Sequence, residues 1–163
     1  MRIGFISDIH GNFTALEAVL ADIKKQHIDQ LICLGDTVSL GPQPKEVLDA
    51  LREWNAVTIM GNHDQATLEP ERCAEFEITE HLIPDLYWGR DQLSNEDLQY
   101  LTSFEMTKKV QLERDIELLA YHGSPKGTTH LVLATTSTEA LNEYYSGQTA
   151  SIFMGGHSHI QME

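Results

Sequence analysis

The sequence predicts an α/β layered domain built around a mainly parallel sheet, and three observations lead there. Strand-length apolar runs alternate with helix-period segments through the first half of the chain. Three such runs, and two more farther on, stop at side chains able to bind a metal, so the chemistry collects at strand ends. The 163 residues, 41% hydrophobic and 22% charged, suit a single globular domain with a real core. We take 1–163 as that domain, with a helical insertion at about 66–104.

Residues 2–7 (RIGFIS) read as a buried strand that stops at polar Asp8. Asn12 or Thr14 can then cap a helix, with Thr14-x-x-Glu17 matching a capping box. Leu16, Val19, Leu20 and Ile23 give that helix one apolar face. Ile28 to Leu34 form the next strand and lead into Gly35-Asp36. Gly41-Pro42-Gln43-Pro44 is a loop, and Pro44 suits the first position of a helix carrying Val47, Leu48 and Leu51. Residues 56–60 (AVTIM) make a third strand, ending in Gly61-Asn62-His63-Asp64. In the irregular middle, Ser94-x-x-Asp97 marks a helix start, with Leu98 and Leu101 on its buried side. Residues 107–112 and 115–121 predict a hairpin turning at Glu113-Arg114-Asp115 and ending at His122. Thr136-x-x-Glu139 is a second capping box, and Gly147 suits the end of its helix. A last strand, 149–154, delivers Gly155-Gly156-His157-Ser158-His159.

The formal net charge of −14 argues against general DNA or RNA binding, because it would repel a polyanion and no Lys/Arg cluster offsets it. It also sits awkwardly with an anionic substrate unless bound divalent cations reverse the sign locally. No apolar run approaches the roughly 20 residues of a membrane span. Nor does the N-terminus read as a secretion signal, so a cytoplasmic protein without membrane partners is expected. Cys33 and Cys73 form neither a disulfide framework nor a CxxC spacing, and Cys33, inside an apolar run, reads as core.

The side chains at the strand ends are Asp8 and His10, Asp36, Asn62 and His63, His122, and His157 and His159. Asp8 and His10 stand two apart at a strand end, so both can point one way and chelate one ion; His157 and His159 repeat the spacing. Gly11, Gly35, Gly61, Gly123, Gly155 and Gly156 flank these residues, as tight turns and close backbone approach require. A mixed imidazole, carboxylate and amide set suits manganese, iron, zinc or nickel better than an all-oxygen site for magnesium or calcium. Each residue alone has an ordinary reading; Asp36 after Gly35, for instance, could be a plain Asx-turn. Together, in order, they point to a metal centre.

The series D-x-H (8–10), G-D (35–36), G-N-H-D (61–64), H-G (122–123) and G-H-x-H (156–159) resembles the calcineurin-like metallophosphoesterase superfamily, especially its small single-domain bacterial and archaeal members. The resemblance implies a four-layer α/β/β/α sandwich and hydrolysis of a phosphomonoester or phosphodiester by a hydroxide bridging two divalent metal ions. It assigns one ion to Asp8, His10, Asp36 and His159, and the other to Asp36, Asn62, His122 and His157, with Asp36 shared. Manganese is the first expectation for the metal. His63 is then not a ligand but the catalytic imidazole that stabilises the transition state or protonates the leaving oxygen.

Two features depart from the superfamily pattern. Some members orient that histidine with an Asp three residues past the shared carboxylate; here Ser39 occupies the position, and Asp64 is the nearby substitute, taken as a catalytic residue with His63. Related proteins also usually continue past the last motif with further strands, whereas this sequence stops at Glu163. That implies an incomplete second sheet, or an edge supplied by a partner such as a second copy.

His27, His81 and His130 lie outside the motifs and read as surface or helix-end residues. Trp54, Trp88, Phe76 and Tyr87 read as core, with Trp88 and Arg90 as an alternative pair that could face the site. Ser124 and Lys126, just after His122, could touch a phosphate, although turn and surface roles fit them better. The chief rival function is a non-catalytic metal-binding or scaffold protein on the same fold. A metal-dependent nuclease is a third reading, which the charge disfavours.

Overall fold

In the computed structural model, which describes residues 1–162, two three-stranded sheets face each other. Glu163 lies outside the described residues. The first sheet runs β1 (Ile3–Ile6), β2 (Gln30–Cys33), β3 (Val57–Thr58), all parallel. Ile3 pairs with Gln30 and Ile6 with Cys33, so the chain leaves both strands at the same level. The two exit loops stay side by side: Asp8 N donates to Gly35 O at 3.0 Å and His10 N to Asp36 O at 2.9 Å. The second sheet pairs β4 (Lys108–Glu113) antiparallel with β5 (Ile116–Ala120), and β5 parallel with β6 (Ile152–Met154).

Between the sheets, Ile32, Leu34 and Ile59 pack with Leu118 and Ala120. The outer face of the first sheet is covered by α1 (Phe13–Ile23) and α2 (Pro44–Glu53), which bury Leu16, Leu20, Val47 and Leu51 around Leu31 and Cys33. On the far side α6 (Thr138–Tyr145) touches the second sheet through Tyr145, whose hydroxyl lies 2.9 Å from that of Tyr121 and whose ring meets Phe153 edge-on. The four layers expected of the sandwich are therefore present. The last is thin, since α6 has no fully buried residue.

The middle of the chain holds α3 (Asn62–Leu68), α4 (Ile83–Asp91) and α5 (Asn95–Thr102), with two 3₁₀ turns between α3 and α4. Helix starts at Asn62 rather than near residue 66, so Asn62 and His63 stand on its first turn and not in a loop. The Ser94–Asp97 capping box forms as expected. The Thr14–Glu17 box does not: Asn12 caps α1 by accepting from Ala15 N, while Thr14 sits in the first turn and its hydroxyl donates to Gln43 Oε1. Ser137, with the extended dihedrals of a cap, takes the place expected for Thr136. Tyr87 and Trp88 are solvent-exposed on α4 and not core, whereas Phe76 is buried. Arg90 does not face the site; its guanidinium donates to the carbonyls of Thr67 and Leu68. No helix among the described residues is long and apolar enough to cross a membrane.

Candidate metal centre

Seven of the eight strand-end side chains, all but His63, converge where the loops leave the two sheets, forming two adjoining groups. Asp8, His10 and His159 make one, and Asp36, His122 and His157 the other, each with its donor atoms within 4.8 Å of one another. Asn62 joins the second group, its Oδ1 lying 3.2 Å from His122 Nε2.

The backbone delivers these residues differently from an extended strand end. Asp8 (φ 54°), His10 (48°), Asp36 (56°), His157 (67°) and His159 (52°) are all left-handed. The pairs are thus oriented by left-handed residues at alternate positions, not by the alternation of a pleated strand. Such a conformation costs of order 1–3 kcal/mol at each non-glycine residue, so the surroundings must impose it. Backbone hydrogen bonds between loops do so, among them Gly156 N to His122 O at 2.8 Å. Two glycines are required for space: a Cβ on Gly61 would lie 2.1 Å from Asp36 Oδ1, and one on Gly156 2.1 Å from Ser7 Oγ.

In the first group His10 Nε2 and His159 Nε2 face each other at 3.4 Å, and Asp8 Oδ1 lies 3.2 Å from His159 Nε2. Donors around one ion with bonds near 2.1 Å are separated by roughly 3–3.5 Å, so these spacings fit shared coordination. Asp8 Oδ1 is also a buried atom without a hydrogen bond among the described residues, as an oxygen reserved for a cation would be. In the second group Asp36 Oδ2 is 3.4 Å from His122 Nε2.

Outer hydrogen bonds fix the ligand orientations. His122 Nδ1 donates to the Leu34 carbonyl at 2.7 Å, which leaves the Nε2 lone pair toward the centre. Asn62 Nδ2 donates to the Phe76 carbonyl at 3.0 Å, which turns Oδ1 inward. The backbone N–H of His157 donates to Asp8 Oδ2 at 3.1 Å and ties the two groups together. The donor set therefore fits two transition-metal ions.

His63 packs its ring edge-on to His10 at 4.9 Å, and its Nδ1 is buried without a partner among the described residues. Asp64 does not orient it. The Asp64 oxygens accept instead from Asp36 N, Thr37 N and Thr37 Oγ1 at 2.8, 2.8 and 2.7 Å, and from Gly61 N at 3.1 Å. Because α3 begins at Asn62, Asp64 reaches back over the helix start, and adjacent helix residues do not share a face. Ser39 serves a different histidine: its Oγ lies 3.4 Å from His10 Nδ1.

Burial alone would raise the Asp36 carboxyl, but the hydrogen bond and charge of His122 outweigh it and hold Asp36 below the usual carboxylate range. His122 is raised in turn, against its own burial, by the same pair. Burial lowers His10, His63 and His157, partly offset by Asp36, and so favours neutral imidazole, the form that ligates metal. Burial and the charge of Asp36 push Asp64 up.

Some participants left no mark in the sequence. The carbonyls of Leu34 and Phe76 orient ligands, yet side-chain identity does not report a backbone partner. His130, read as surface, is half-buried and bonded to Ser124 at 2.6 Å. Ser124 Oγ accepts from Lys126 N, and the Lys126 side chain donates to Ser146 Oγ, so both hold the turn.

The profile of the calcineurin-like phosphoesterases matches residues 1–161. An uncharacterised protein of Methanocaldococcus jannaschii is 34% identical over 124 residues, 76% of this chain and 50% of its own. The crystal structure of a metallophosphoesterase from Sphaerobacter thermophilus is similar at a TM-score of 0.71 and 29% identity, over 98% of this chain and 61% of that one. A hypothetical protein of Pyrococcus horikoshii aligns at a TM-score of 0.75 and 25% identity, over 88% of this chain and 63% of that one. The chain thus spans half the length of the curated relative and somewhat under two-thirds of the solved ones.

Proposed function

The chain belongs to the calcineurin-like phosphoesterase family, and from that premise we propose that it hydrolyses small phosphomonoesters or phosphodiesters with two divalent metal ions, manganese first among them. The family uses divalent metals, and the position of one atom carries the two-ion reading. Asp36 Oδ2 lies 3.7 Å from His10 Nε2 in one group and 3.4 Å from His122 Nε2 in the other, where a single carboxylate oxygen can serve both.

Asp8, His10 and His159 would hold one ion and Asn62, His122 and His157 the other, with Asp36 available to both. Divalent ions held there would supply charge neutralisation for the phosphoryl group and a more acidic water near neutral pH. Asp36 also accepts from His63 N at 2.9 Å through Oδ1, so the shared ligand and the catalytic imidazole are set by one carboxylate. His63 donates its N–H to a phosphoryl or leaving oxygen, stabilising charge as it develops. The −14 charge favours small substrates over nucleic acid.

Manganese-stimulated hydrolysis of chromogenic monoester and diester substrates tests the proposal. Asp36→Ala and His122→Ala are expected to abolish it, while equal activity in wild type and both variants would refute it. His63→Ala should retain both ions and lose about 10²- to 10⁴-fold in turnover. A wild type that binds two ions but cleaves nothing in a broad ester panel would support the non-catalytic scaffold reading instead.

A further inference from the structure

We propose that the Ser124–His130 hydrogen bond is a positioning device that closes the loop after His122 and thereby holds Asn62 and His122 in register. This rests on the reading that their group binds a metal ion.

The loop is closed in three ways. Ser124 N donates to Gly127 O at 2.8 Å and Gly127 N returns to Ser124 O at 3.3 Å, making a tight turn at Pro125-Lys126. Ser124 Oγ accepts from Lys126 N at 3.1 Å, so its one proton is free for His130 Nδ1, 2.6 Å away. The His130 ring is then sandwiched: Tyr144 of α6 stacks on it at 4.1 Å and 13°, and a Cβ on Gly127 would come within 3.0 Å of its Cε1.

The closed loop reaches two ligands of the group, His122 and Asn62. His122 precedes it directly, and Gly123 lies so close to Thr128 that a Cβ would meet the Thr128 carbonyl at 2.6 Å. Thr128 Oγ1 donates to Gln65 Oε1 on α3, three residues after Asn62. Opening the Ser124–His130 bond would release Thr128, and with it the support of Gly123 and Gln65.

A serine so close to a histidine also resembles a nucleophile and its base. Two features reject that role. Ser124 is only 3% exposed, and His130 stacks on Tyr144 with no carboxylate bonded to its ring among the described residues.

Manganese titration of the full chain, followed by calorimetry and by electron paramagnetic resonance, tests the device without any substrate. Wild type should bind two ions and give an exchange-coupled spectrum. Ser124→Ala and His130→Ala should bind the first ion as before and the second about 10- to 100-fold more weakly, leaving the spectrum of an isolated ion. His130→Asn, whose Oδ1 can accept in place of Nδ1, should recover most of the second affinity, as a merely space-filling histidine would not require. Two ions bound with wild-type affinity in both alanine variants would overturn the device alone, as would equal weakening of both ions or an Asn variant no better than Ala. A wild type without a second ion would overturn the metal reading and, with it, this inference.

Discussion

Asp64 governs the site through backbone that it holds. Its two oxygens take four hydrogen bonds from Asp36, Thr37 and Gly61, joining the loop of the shared carboxylate to the start of the helix that carries Asn62 and His63. Asparagine there would keep one acceptor and press an amide against N–H donors. Asp64→Asn is therefore expected to lower stability by about 2–4 kcal/mol, read from urea unfolding, and to weaken manganese binding with it. Unchanged stability would contradict this role. At this scale the set of converging donor side chains was legible, because a metal needs particular side chains and the chain carries them in order. Their supports were not. Nothing in the identity of Ser39 says that it serves His10 and leaves Nδ1 of His63 without a partner among the described residues.

Helix ends show what short-range patterns capture. Ser94 and Asp97 cap α5 reciprocally, and Arg52 of α2 adds an ion pair to Asp97 at 2.7 Å. Burial would raise the Asp97 carboxyl, but Ser94 and Arg52 hold it at about 2. A depressed carboxylate stabilises the fold fully above its unfolded pKa of roughly 3.9 and loses that contribution as pH falls through the folded value. Asp97→Asn should thus cost about 1–2 kcal/mol at neutral pH, with the gap to wild type closing between about pH 4 and pH 2 in parallel unfolding curves. A gap that persists at pH 2 would show the ion pair and cap to be irrelevant. The same reasoning left the α1 cap open between Asn12 and Thr14 and misplaced that of α6 by one residue. Thr14 and Thr136 have matching sequence partners, but Asn12 and Ser137 occupy the cap positions.

Across the whole molecule, register does the assembling. Parallel pairing in the first sheet brings the exits of β1 and β2 level, and the second sheet returns His122 and the His157–His159 segment to the same edge. Strand alternation and apolar patterning made both sheets readable. The left-handed ligand loops were not, since only hydrogen bonds between distant segments impose them. A centre gathered from so many segments exists only in the folded chain, so metal should stabilise it. Manganese at 100 times its dissociation constant is expected to add about 2.7 kcal/mol per occupied position, and chelator should remove it. Equal melting temperatures with manganese and with chelator would argue against the centre.

The two halves of that centre are unequally sheltered: the side chains of Asp36 and His122 are 2% and 0% exposed, that of His159 58%. An ion leaning on a solvent-facing imidazole can be unseated stepwise by water, whereas its inner neighbour must first disturb the core. The positions should accordingly differ in lability. Zinc added to the manganese-loaded protein is expected to displace the outer ion first and to leave a mixed pair, visible as loss of magnetic coupling at one equivalent exchanged. Which metal the protein carries would then depend on its recent surroundings at one position and on its folding history at the other.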